Sequence, residues 1–198
     1  MKLNGYGRAR VLSSSEIDKL FAWGLSSKRD QALFGICLHT GCRISEALAI
    51  TVKDIQAGYI TLKKCVTKGK RRTRMIPIND SLQGLLEAYL REYKPKPFLF
   101  PSHYNAKTHQ HMTRAAADLI LKTACQRVGL VGVSTHSFRR TALTRMHNAG
   151  IPLRVIQEIS GHSSLEILQR YLEVTDEQIL DAVKAISSKS ERNSSKQA

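Results

Sequence analysis

The chain has 198 residues, 42% of them hydrophobic, enough for one domain with a sizeable core. Its 31 Lys and Arg against 16 Asp and Glu leave a net charge of +15, an excess that points to a polyanionic partner, DNA or RNA before any other. No apolar run approaches the roughly 18 residues of a membrane span, and neither a signal-peptide core nor a basic amphipathic helix stands out. A soluble, cytoplasmic protein with no membrane partner is expected.

Taken in chain order, Ser13–Ser15 ahead of Glu16 marks a helix start, followed by Ile17, Leu20, Phe21 and Leu25 at helical spacing. A second helix is expected from about Arg29 to Thr40, ended by Gly41, and a third begins near Arg43. The period then changes to that of strands. Tyr59–Val66 and Thr73–Ile78 flank the basic run Thr67–Arg72, which has the pattern of a hairpin turn. Asn79 or Asp80 caps a helix to about Arg91, and Pro95 and Pro97 open a loop holding His103, His109 and His111. Helices return at about Met112–Val128, Ser137–Asn148, Pro152–Ser160, Ser163–Tyr171 and Asp176–Ile186. The expected class is mainly α with a small antiparallel β-hairpin or sheet. Residues 1–11 form an extension, 12–186 one domain, and 187–198 a polar tail with too little apolar surface to offset the entropy of ordering. Cys37, Cys42, Cys65 and Cys125 are scattered and are expected to be reduced thiols. His39 between the first two suggests metal only weakly, because no second ligand pair follows.

Four segments carry chemistry. In Thr40-Gly41-Cys42-Arg43-Ile44-Ser45-Glu46, a helix starting after a glycine turn offers free amides to an anion. Arg43 adds a fork suited to phosphate oxygens, and Glu46, one turn on, can hold it; a surface ion pair would have the same spacing. Lys68 on the hairpin turn can swing into a site as a proton donor, although solvated basic turns are common. His136 and Arg139 lie three apart at a helix start and share a face, as a capping His beside a solvent Arg also would. Finally, Gly161-His162 precedes Tyr171 by nine residues. A phenol ionises near pH 10 and is a poor nucleophile unless cations stabilise the charge it develops.

Together these segments run Arg, Lys, His-x-x-Arg, Gly-His, Tyr. In that order, with Thr-Gly-Cys-Arg-Ile-Ser-Glu, His-Ser-Phe-Arg-Arg and Ile-Ser-Gly-His-Ser-Ser, the chain resembles the catalytic domain of the tyrosine recombinase, or phage integrase, family from about Val11 to Ile186. The resemblance implies that fold, and a site-specific recombinase that cleaves and rejoins double-stranded DNA through a 3′-phosphotyrosyl link. It assigns the scissile phosphate to Arg43 and Arg139, with His136 and His162 contacting it. Lys68 is implied as general acid for the 5′-hydroxyl, Lys70 being the other candidate on the turn; Tyr171 is the nucleophile and Glu46 supports Arg43.

No cofactor is implied. The phosphotyrosyl bond keeps the energy of the phosphodiester it replaces, no Gly-x-x-x-x-Gly-Lys-Ser/Thr loop is present, and the acidic residues are spread rather than clustered for cations. The resemblance also implies a homo-oligomer, a tetramer on paired DNA sites through the C-terminal helix, and accessory DNA-bending proteins. It leaves open a type IB topoisomerase-like enzyme and a non-catalytic DNA-binding regulator. The helical N-terminal domain of many members is not expected here, which fits either a catalytic fragment or the short branch that includes the fimbrial phase-switch invertases.

Overall fold

Ser13 opens the first helix as its sequence demands. Its hydroxyl accepts from the Glu16 amide at 3.2 Å while Glu16 Oε2 accepts from the Ser13 amide at 3.0 Å, so two otherwise orphaned donors are satisfied. A computed structural model of the protein describes residues 9–63, 72–102, 110–172, 179–180 and 182–184. In it α1 (Ser14–Lys19) passes into a π-helical turn at Leu20–Gly24, which rests on a later helix through Gly24.

The centre of the fold is α2 (Lys28–Thr40), capped by Ser27. Ala32, Leu33, Phe34, Ile36, Cys37 and Leu38 are all buried, and a helix apolar all round belongs inside. After α3 (Ile44–Leu48) and a 3₁₀ turn come three antiparallel strands in the order β1 (Ile55–Gln56), β2 (Tyr59–Leu62) and β3 (Arg74–Pro77). Ile60 pairs with Ile76 and Leu62 with Arg74. These four face the core, while Tyr59 and Met75 alternate outward.

Five further helices follow: α4 (Asp80–Glu92), α5 (Arg114–Arg127), α6 (Thr135–Asn148), α7 (Leu153–Ser160) and α8 (Leu165–Gln169). Asn79 caps α4, Thr113 caps α5 and Ser164 caps α8 through their side-chain oxygens. Phe34 of α2 stacks on Phe138 of α6 with ring centroids 5.1 Å apart, tying the helix that carries the His-x-x-Arg motif to the core. A smaller cluster of Leu143, Ile156 and Leu168 lies beside it, with Tyr171 and Leu172 packed against its edge.

The mainly helical class with a small antiparallel sheet is therefore as expected. The sheet has a third strand, β1, which the sequence reading did not contain; two residues are too few to show a period. The hairpin turn with Lys68 and Lys70, along with Cys65, His103 and His109, lies outside the described residues, as do residues 1–8 and the tail from 187. Of the last expected helix, residues 179–180 and 182–184 are helical, and Ile179, Leu180 and Val183 are exposed. Among the described residues no helix is long and apolar enough to cross a membrane.

Candidate active site

Two helices end at one place, and one arginine holds both ends. α2 closes on Gly41 (φ 62°) and α7 on Gly161 (φ 66°), each in the left-handed conformation that favours glycine. Arg139 of α6, 1% exposed, donates through Nη1 to the Gly41 carbonyl at 2.6 Å and through Nη2 to the Ser160 carbonyl at 2.9 Å. Helix carboxyl ends carry partial negative charge, so a cation is favoured there. Burial, and then repulsion from Arg43, push the Arg139 pKa down to about 10, against Glu46, Tyr171 and Cys42; the guanidinium stays charged at neutral pH.

The segment leaving Gly41 carries Arg43, the residue ahead of α3. Its amide donates to Glu46 Oε2 at 2.7 Å, and its guanidinium lies 3.7 Å from the same oxygen. The sequence pattern offers the amides of this turn to an anion; that of Arg43 is instead taken by Glu46. Oε1 of Glu46 accepts from Arg74 Nη2 at 3.0 Å. Burial alone would raise the Glu46 carboxyl, but Arg74, the Arg43 amide and guanidinium, and Arg139 hold it below the ordinary carboxylate range.

The segment leaving Gly161 carries His162, which is buried. The Ser160 hydroxyl donates to the Gln157 carbonyl at 3.4 Å and sits 2.7 Å from His162 Nδ1. Arg139 Nη2 lies against the same imidazole, 3.1 Å from Nε2 and 3.3 Å from Nδ1. The imidazole also meets Tyr171, ring centroids 4.9 Å apart at 51°. His136, exposed on the first turn of α6, has its pKa lowered by partial desolvation and then by Arg114, Arg139 and Arg43, against Asp118. The neutral imidazole is thereby favoured.

A cleft of about 690 Å³ opens between β3 and α7, its wall including Arg43, Arg72, Arg74, Arg154 and His162. So many guanidiniums on one wall suit a phosphate-bearing ligand. His162 is the residue shared by this wall, Arg139 and Tyr171. Of the residues singled out by sequence, Arg43, Glu46, Arg139, His162 and Tyr171 are brought together, His136 is exposed within the field of Arg43 and Arg139, and Lys68 is outside the described residues. Cys37 and Cys42 are buried, and His39 meets Asn79 at 3.1 Å. Sequence reasoning missed Arg74. Its signal was the inward phase of a strand whose next inward residue is Ile76.

Gly161 is doubly constrained, because a Cβ there would lie 1.7 Å from Arg74 Nη1. Gly161→Ala is therefore expected to lower the unfolding free energy by about 1–3 kcal/mol, from the left-handed backbone and the displaced guanidinium. Urea denaturation measures this. An unchanged midpoint would mean that neither constraint is felt.

The phage integrase family model matches residues 10–178. The chain is 31% identical to tyrosine recombinase XerC of Roseiflexus sp. (strain RS-1) over 179 residues, covering 83% of this chain and 55% of that protein. It is 29% identical to tyrosine recombinase XerD of Listeria monocytogenes serotype 4b over 193 residues, covering 90% and 62%. It thus spans little more than half the length of these relatives. Among solved structures, XerA recombinase superposes with a TM-score of 0.74 at 22% identity, over 89% of this chain and 64% of that one. A lambda integrase dimer bound to a core site gives 0.67 at 16% identity, over 85% and 49%. XerH bound to its difH substrate in a pre-cleavage complex gives 0.65 at 24%, over 81% and 49%. At these identities the structures establish the shared fold.

Proposed function

Because the chain belongs to the phage integrase family, we propose that it cleaves and rejoins double-stranded DNA by transesterification through Tyr171. The Tyr171 oxygen bonds to the scissile phosphorus as the bond to the 5′-oxygen breaks. The phenolic proton leaves toward the imidazoles, and Lys68 gives a proton to the departing 5′-hydroxyl. Arg43 and Arg139 hold the non-bridging oxygens and offset the charge of the transition state. His136 and His162 contact the same phosphate, and Glu46 keeps the Arg43 backbone and fork in place. Attack by a second 5′-hydroxyl reverses each step, so no external energy source enters.

The observation that carries this reading is the meeting of Arg139 with His162, and of His162 with Tyr171, beside the cleft that Arg43 lines. Residues 12–186 form the catalytic domain in this reading, and DNA is the partner. The exposed Ile179, Leu180 and Val183 support docking on a neighbouring subunit, and so a homo-oligomer on paired sites, better than they support an isolated helix.

The test is a nicked suicide duplex carrying candidate sites, whose cleaved fragment diffuses away. A protein–DNA adduct that survives denaturation and forms in EDTA is expected. Its absence on every site sequence tried, with binding intact, would favour a DNA-binding regulator. Relaxation of a supercoiled plasmid without paired sites would favour a topoisomerase-like enzyme.

A further inference from the structure

We propose that Arg74 is a positioning residue of this site, whose guanidinium joins Glu46, strand β3 and the Gly161 turn and so holds Arg43 and His162 in register with each other. The proposal rests on the phosphotyrosyl reading and deepens it.

Arg74 occupies a place where a hydrophobic residue would be the expected occupant. It faces the core opposite Leu62, in line with Ile60 and Ile76, and is 8% exposed. A buried cation is costly to desolvate, and a whole buried ion pair can often be replaced by well-packed hydrophobic residues without loss of stability. Nor is the burial fully compensated, since Nε has no hydrogen-bond partner among the described residues.

What the guanidinium does instead is connect. Glu46 divides its carboxylate, one oxygen to Arg74 at 3.0 Å and the other to the Arg43 amide at 2.7 Å. Nη1 lies against Gly161, where only a missing Cβ leaves it room, and the next residue is His162. One side chain, carried by β3, thus touches the element next to Arg43 and the turn carrying His162. Arg139 makes the corresponding link on the far side, between Gly41 and Ser160. The charged groups acting on Glu46 are Arg43 from its own segment, Arg74 from β3 and Arg139 from α6, with the thiols of Cys37 and Cys42 also within its field. Arg74 is its closest cation by distance.

The experiment compares Arg74→Met, Arg74→Lys, Glu46→Gln and the Arg74→Met/Glu46→Gln double variant. Single-turnover cleavage of the suicide duplex, DNA affinity, thermal unfolding and the NMR titration of the Glu46 carboxyl are measured. Arg74→Met is expected to slow cleavage at saturating DNA by about 10- to 100-fold, the effect of a small misalignment. The melting temperature of Arg74→Met should fall, because the buried Glu46 loses its closest cation, and DNA affinity should change less than the cleavage rate. Arg74→Lys should recover part of the rate, and the double variant should be no slower than the slower single variant, because both break one linkage. Unchanged cleavage in Arg74→Met, or losses that multiply in the double variant, would overturn the proposal. So would weakened affinity with an unchanged rate, which would make Arg74 a DNA contact. If the unmodified protein forms no adduct, the function reading fails first. The Glu46 midpoint must still rise in Arg74→Met, and a midpoint that does not move overturns the linkage by itself.

Discussion

Tyr171→Phe is expected to abolish the covalent adduct while leaving folding and DNA affinity intact. The ring of Tyr171 is half-buried against Leu143, Ile156 and Leu168 and meets the His162 imidazole at 4.9 Å between centroids. Phenylalanine keeps that packing and removes only the hydroxyl. Stability should therefore stay within about 0.5 kcal/mol, whereas single-turnover cleavage should fall by more than about 1,000-fold, because no other group takes over the bond-forming step. The other described tyrosines give the contrast. The Tyr89 hydroxyl donates to the Leu99 carbonyl at 2.7 Å, and burial pushes its pKa up to about 12. Tyr59 points outward from the sheet. Tyr93 is exposed beside Tyr89, ring centroids 5.5 Å apart, and none of the three is placed beside Arg139. Denaturing gels with labelled duplex read the adduct, and peptide mapping of the unmodified protein's adduct should recover the nucleotide on Tyr171. An adduct of normal yield in Tyr171→Phe would place the nucleophile elsewhere.

The parts of this site that sequence exposes are those set by local spacing. Ser13 with Glu16, Asn79 before its helix and Gly41 after α2 behave as their side chains require, because capping is settled within a few residues. Arg43 and Glu46 are three apart and do meet, though the stronger contact is through the Arg43 backbone. What spacing cannot carry is burial set by another element. His136 and Arg139 look alike on a helical wheel, yet one is exposed and the other is enclosed by the ends of α2 and α7. Arg74 was hidden by its neighbours. Beside Arg71 and Arg72 it looks like more of a basic turn, and only the pairing of Leu62 with Arg74 reveals that it points inward. His162 and Tyr171 are nine residues apart with α8 between them, so their ring contact depends on how α8 packs on α7.

Arg139→Lys should lose both rate and stability, whereas Arg43→Lys should lose rate alone, and this difference follows from where the two guanidiniums sit. Arg139 spans two helix ends, with separate nitrogens on the Gly41 and Ser160 carbonyls and Nη2 also against His162. A lysine ammonium is a single point of charge and cannot reach both carbonyls with the fork's geometry. One buried carbonyl would lose its donor, costing about 1–3 kcal/mol of stability, and the turn carrying His162 would lose its tie to the turn carrying Arg43. Cleavage at saturating DNA should fall by about 100- to 1,000-fold, as when an oriented donor to a developing charge is removed. The Arg43 side chain is 20% exposed and lines the open cleft. A lysine there can keep its ammonium near Glu46 and solvent, so the melting temperature should hold while the grip on phosphate weakens. Urea denaturation and single-turnover cleavage of both variants separate the two effects. A full-rate Arg139→Lys variant would mean that Arg139 serves only to fasten the helix ends, and that the phosphate is held without it.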